Sequence, residues 1–171
     1  GAAILEGKVD VSAGILSHKT HSDTINEACY LYNGRSNNPA YDSDDLFIKM
    51  DGRKIYEYAL TNVPSLLKQT LEKSKIDVRD IKKVLIHQAN GKMDEAILMR
   101  FFKLCGISKA PDNIMPMTIS KLGNSSVATI PTLLDLILKE KLKNHSIHPG
   151  DTVIIASVGA GMNINAMVYR F

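Results

Sequence analysis

At 171 residues, with 44% apolar and 23% charged side chains, the chain is long enough to bury a core, and no stretch approaches the roughly 20 apolar residues that cross a bilayer. Its 21 Lys and Arg against 18 Asp and Glu leave a net charge of +3, too small an excess for charge alone to argue for nucleic acid. Two cysteines, Cys29 and Cys105, with neither metal-ligand nor disulfide-framework spacing, predict no metal centre and a reducing cytoplasmic setting.

The chain opens on Gly1-Ala2-Ala3-Ile4-Leu5 without a charged-then-apolar leader, and reads as a strand entered partway, which predicts a fragment. Ala2 to Leu5 and Ala13 to Ser17 are expected as short strands separated by Glu6-Gly7-Lys8, with Gly14 marking a bulge. The polar run from Asn33 through Pro39 to Asp45 is a surface loop and the best candidate for a seam. After Asp51-Gly52, the residues Ile55, Ala59, Val63, Leu66, Leu67 and Leu71 recur at helical spacing, and Pro64 is expected to kink or restart that helix.

Val84-Leu85-Ile86 reads as a buried strand, followed by a helix from Lys92 to Leu104 with Met93, Ile97, Phe101 and Leu104 on one side and Gly106 as its stop. Lys92, Arg100 and Lys103 fall within an arc of about 80° on that helix, a basic stripe that is equally well a solvated face. A second apolar stripe, Val127, Ile130, Leu134, Ile137 and Leu138, predicts a core helix capped by Ser125 or Ser126, with Pro131 near its first turn. Thr152 to Ser157 and Ile164 to Tyr169 read as antiparallel strands joined by a glycine turn.

Three segments end in groups that a buried element does not choose: Ile86-His87-Gln88-Ala89-Asn90, Leu122-Gly123-Asn124-Ser125-Ser126 and Val158-Gly159-Ala160-Gly161. Each follows an apolar or turn-forming run, where α/β folds present reactive groups, so a donor imidazole, a donor amide and a bare backbone turn can converge on one oxygen. The glycine turn is no dinucleotide site, because a strand follows it where a helix should start.

These motifs, in this order and spacing, resemble the thiolase-fold condensing enzymes, and most closely their β-ketoacyl-ACP synthase III branch. The resemblance rests on His87-Gln88-Ala89-Asn90, on Gly123-Asn124-Ser125-Ser126 followed by Ile130-Pro131, and on Gly159-Ala160-Gly161 leading to Val168-Tyr169-Arg170-Phe171. Weaker echoes are Met50-Asp51-Gly52-Arg53 and Gly14-Ile15-Leu16 followed by His18 to Asp23. It implies an α/β, thiolase-like fold, here the C-terminal half with a mixed five-stranded sheet and helices, plus the last strands of the N-terminal half. Residues 1–50 would then be the tail of the front half, and residues 51–171 the C-terminal domain carrying His and Asn.

The resemblance also implies a decarboxylative Claisen condensation of malonyl-ACP with an acyl-enzyme thioester, in fatty-acid or polyketide synthesis. The nucleophilic cysteine of such enzymes belongs to the front half. Cys105 does not qualify, since a helix C-terminus disfavours a thiolate, and Cys29 has no helix start or base beside it. His87 and Asn124 are assigned to stabilise the enolate oxygen, with the imidazole neutral so that it does not quench the carbanion.

Gly159, Ala160 and Gly161 are assigned a backbone oxyanion site, and Gln88, Asn90, Lys92 and Arg100 a substrate- or carrier-binding role. Partners implied are acyl carrier protein, acyl-CoA and a malonyl thioester, with a homodimer when intact and no nucleic acid or membrane. CoA or phosphopantetheine enters as substrate, and no cofactor or metal is expected. Two alternatives stand beside this reading: a non-catalytic carrier-binding or dimer-supporting module, and a non-decarboxylating thiolase or hydroxymethylglutaryl-CoA-synthase-type enzyme. The second is disfavoured because the His87 and Asn124 pair matches decarboxylating relatives.

Overall fold

The structure is a computed structural model and describes residues 2–7, 9 and 12–171. Six strands and four helices follow in the order β1 (Gly14–Ser22), β2 (Leu31–Gly34), β3 (Phe47–Met50), α1 (Gly52–Ser74), β4 (Ile81–Ile86), α2 (Gly91–Leu104), α3 (Ile119–Leu122), α4 (Thr129–Leu138), β5 (Thr152–Gly159) and β6 (Asn163–Arg170). Four strands make a mixed sheet in the order β1-β6-β5-β4, in which β4 and β5 are parallel and the other pairs antiparallel.

Successive residues of a strand face opposite sides, and the apolar residues of this sheet sort accordingly. Val84, Ile86, Ile154, Ala156, Ile164, Ala166 and Val168 pack with α1 and α2, whereas Leu85 and Val153 pack with Ile137 of α4 and with Ile147. The sheet is therefore covered on both faces, and its run of buried residues in β4 reads as continuous apolar sequence for that reason.

Helix α1 runs unbroken for 23 residues with Pro64 inside it, where a kink or restart was expected. Proline has no N–H for the carbonyl four residues back, which is that of Leu60. An Arg100 guanidinium N–H from α2 donates to the Leu60 oxygen at 3.0 Å instead, so the acceptor that Pro64 abandons is satisfied from the neighbouring helix. Asp51 caps the start of α1 by accepting from Lys54 N–H.

Other expectations are corrected. Ala2 to Leu5 pairs with no strand among the described residues, and without a ladder Ile4 and Leu5 lie in solvent. Lys8, in the turn expected there, and Gly1 lie outside the described residues. The strand expected at Ala13 to Ser17 continues to Ser22, with its bulge between Ile15 and Ser17. The polar loop links β2 to β3 as a separate two-stranded hairpin.

The fifth place in the sheet, beside β4, is occupied by residues 114–118, which form no strand. Val84 N–H donates to the Ile114 carbonyl, but Pro116 offers no N–H with which to continue a ladder. The last helix also differs: Ser126 to Ala128 form a 3₁₀ turn and α4 begins at Thr129, with no serine cap. That start rotates the buried stripe onto Leu133 and Ile137, leaving Val127 85% and Leu138 50% exposed. In α2 it is Phe102, not Leu104, that joins Met93, Ile97 and Phe101 in the core. No helix among the described residues is long and apolar enough to cross a membrane.

Asp94 in the first turn of α2 is wholly buried, and among the described residues neither carboxylate oxygen has a hydrogen-bond partner. Burial pushes the carboxyl up to about 7, against smaller opposing contributions from the Asn90 and Ala89 backbone. An unfolded chain ionises this group near 3.8, so between that pH and about 7 the folded state keeps a proton that the unfolded state has lost. Folding stability therefore falls across this window as pH rises, and stays lower above it. Asp94→Asn removes the titration, and its stability relative to wild type should rise by a few kcal/mol between pH 4 and pH 8. Denaturation midpoints that keep a constant difference over that range would contradict the assignment.

Candidate active site

His87 follows the last residue of β4, and its backbone N–H donates to the Ala156 carbonyl of β5 at 3.0 Å, extending the parallel ladder by one step. The residue is thereby held just beyond the carboxyl end of β4, alongside the last residues of β5. Its Nδ1 lies 3.4 Å from the Thr129 hydroxyl, which is itself 3.4 Å from the hydroxyl of Ser125. Burial depresses the ring's pKa below its ordinary 6.5, against an opposing contribution from the Ser126 backbone, so the ring is neutral at pH 7.

Asn124 reaches the site from another direction. Helix α3 closes at Gly123, whose φ of +65° and ψ of −165° suit glycine alone, and the chain turns there into Asn124. The Asn124 Oδ1 accepts from Ser126 N–H at 2.9 Å, which commits the carbonyl end of the amide within its own turn. The NH₂ end is then the part free to donate.

The third segment is the turn between β5 and β6. Gly161 has a φ of +123°, whereas Ala160 takes no positive φ, so an alanine is accommodated in the middle of the turn. Two backbone bonds between Asp23 and Met162, at 2.9 and 2.8 Å, clamp the turn to the end of β1. The Asp23 carboxylate in turn accepts from the Tyr58 hydroxyl at 2.8 Å and lies 2.8 Å from His21 Nε2. The Tyr58 hydrogen bond holds the Asp23 carboxyl below its usual range.

His87, Asn124, Gly159 and Ala160 line one cavity of about 1090 Å³, with Ser126 and Ile130 among its other walls. Gly161, Gln88, Asn90, Lys92 and Arg100 do not line it. Asn90 is the N-cap of α2, its Oδ1 accepting from Lys92 and Met93 N–H groups at 3.1 and 3.3 Å. Lys92 and Arg100 are exposed on α2, Arg100 with one N–H already given to Leu60.

Gln88, expected at the substrate or carrier, is 1% exposed, and its amide is engaged with Pro116, Thr118 and Ile119. Thr129 and the Asp23–Tyr58 pair were not singled out from sequence. A buried threonine at a helix start carries no local signal of an imidazole partner 42 residues away.

Neither Cys29 nor Cys105 lines the cavity. The first is exposed, and burial pushes the thiol of the second up. Among the described residues no group of three His, Cys, Asp or Glu side chains could hold a metal ion.

The family model described as 3-oxoacyl-[acyl-carrier-protein (ACP)] synthase III C terminal matches residues 71–171. The chain belongs to the 3-oxoacyl-[acyl-carrier-protein] synthase III family. A beta-ketoacyl-[acyl-carrier-protein] synthase III from Streptococcus pneumoniae (strain Hungary19A-6) is 31% identical over 157 residues, which cover 90% of this chain and 45% of the relative. The chain thus spans less than half the length of that synthase. Among solved structures, a synthase III from Thermus thermophilus superposes with a TM-score of 0.77 at 25% identity, covering 96% of this chain and 48% of that one. The synthase III of Aquifex aeolicus VF5 superposes with a TM-score of 0.74 at 23% identity, covering 96% and 46%. The α/β thiolase-type fold, in its C-terminal half, is the architecture they share with this chain.

Proposed function

We propose that this chain supplies the decarboxylation half of a synthase III active site, in which a malonyl thioester loses CO₂ and condenses with an acyl-enzyme thioester in fatty-acid or polyketide synthesis. The acyl group would be carried by a cysteine on a front half of the kind its relatives possess. As the malonyl carboxylate leaves as CO₂, its bonding electrons form the enolate and the thioester oxygen becomes anionic. The enolate carbon then attacks the acyl carbonyl, and the cysteine thiolate departs.

The observation that carries this reading is that His87 and Asn124, remote in the chain, line one cavity. Ser126 N–H takes the carbonyl of Asn124, and in the tautomer in which Thr129 donates to Nδ1 the ring proton of His87 lies on Nε2. In that tautomer each side chain has an N–H for the oxygen bound between them. Two such donors suit an oxygen that gains charge only during the reaction; each is typically worth about 3 kcal/mol once water is excluded, which for Asn124, exposed in this chain, requires substrate or the front half to cover it. The clamped turn at Gly159 and Ala160 suits the second oxyanion, formed on the acyl carbonyl.

The alternative of a non-catalytic module differs in one measurable way. A full-length enzyme carrying this chain should release labelled CO₂ from carboxyl-labelled malonyl thioester; carrier binding without CO₂ release would overturn the proposal. No resident cofactor is invoked, since the thioester of CoA or phosphopantetheine is itself substrate. We further propose a cytoplasmic homodimer, for which mass measurement of the full-length protein checks the oligomeric state; β1, within residues 1–50, belongs to the same sheet as the C-terminal strands.

An acidic carrier would be steered by the exposed cations of α2, with an affinity that falls as salt rises. Lys92→Glu should raise KM for carrier-linked malonate at low salt and spare kcat, and an unchanged KM would retire the surface. Arg100→Glu is the poorer probe, because it also strips the buried Leu60 carbonyl of its donor.

A further inference from the structure

We propose that Gln88 is a positioning residue that sets where Asn124 lies relative to His87, by tying the chain beside the imidazole to the short helix that leads into the carboxamide. This rests on the functional reading above. Gln88 is adjacent to His87 in the chain and fully enclosed. Its Nε2 donates to the Pro116 carbonyl at 2.8 Å, and its Oε1 accepts from the N–H groups of Thr118 and Ile119 at 2.9 and 3.0 Å, with the Thr118 hydroxyl at 3.4 Å.

Those two N–H groups stand at the N-terminus of α3, where a helix has no internal acceptors. Thr118 makes no side-chain cap of its own there, so Gln88 performs the capping from another segment. Helix α3 is only four residues long and Asn124 follows its terminal Gly123 directly, so a shift of its start carries through to the carboxamide. Beside β4 this stretch makes no strand ladder. Val84 N–H to the Ile114 carbonyl is a backbone tie four residues upstream of Thr118, and the Gln88 amide is the tie at the site end.

The test is a double-mutant cycle in the full-length enzyme, reading malonyl decarboxylation and acyl loading separately. Gln88→Leu should lower decarboxylation by roughly 10²-fold, the loss typical of about 1 Å of misplacement, with acyl loading and KM for the malonyl thioester near wild type. Gln88→Glu retains acceptors for both α3 N–H groups but must be protonated to replace the N–H given to the Pro116 carbonyl, so it should recover part of the rate, and more of it as the pH is lowered. In an Asn124→Ala background, Gln88→Leu should cost little more, because the residue acts through the one already removed. A wild-type rate for Gln88→Leu overturns the proposal, as does a full second penalty on top of a damaging Asn124→Ala. Parallel loss of acyl loading in both Gln88 variants also overturns it, as a plain folding defect. A silent Asn124→Ala instead overturns the functional reading, and this inference with it.

Discussion

His87→Ala and Asn124→Ala should each lower malonyl thioester decarboxylation by roughly 10²- to 10³-fold while acyl loading of the cysteine proceeds near its wild-type rate. The split arises because the two side chains meet charge that exists only once CO₂ begins to leave, whereas loading involves a different oxygen and a different nucleophile. His87→Gln is an informative companion, since it returns a neutral donor of lesser reach and should stand between wild type and alanine. On the proposed function the neutral state of the imidazole matters as much as its place: burial holds its pKa below 6.5, so at pH 7 it would donate without supplying a proton to the enolate. Equal loss of both half-reactions in the alanine variants would show that these residues support the fold and not the enolate.

Phe101→Ala should be the most damaging single truncation, at about 3–5 kcal/mol, against a total stability on the order of 5–15 kcal/mol for an ordinary domain. The ring is wholly buried in the main core and packs edge-on against Phe102 with centroids 5.2 Å apart. It lies on the helix whose N-cap, Asn90, ends the loop that presents His87, so packing and site share one element. Chemical denaturation measures the loss, and a cost near 1 kcal/mol would mean that the neighbours collapse into the vacated space. Activity at low temperature should survive in whatever fraction stays folded, in contrast with His87→Ala.

The corrected residues share a physical cause. Apolar periodicity made β4, β5, β6 and the buried face of α1 legible, because each depends on a pattern within one element. The α4 stripe failed by a rotation: a single positive φ at Ser126 and a 3₁₀ turn delayed the helix start, and Leu133 replaced Val127 in the core. Gln88 and Arg100 show a different gap: each satisfies backbone carbonyls or amides left bare elsewhere, at Pro116 and α3 in one case and at the proline-interrupted α1 in the other, which no pattern within one element signals.

Local sequence by itself determined which residues can donate, which turns need glycine and which strands lie in the interior, since those properties travel with a side chain or a short pattern. The tertiary structure alone decided that His87 and Asn124 line one cavity, that Thr129 lies beside the imidazole, and that Asp23 clamps the glycine turn. Each of those facts is a meeting of segments remote in the chain, which the sheet, with its helices on both faces, brings together; composition and periodicity do not encode distance across that sheet.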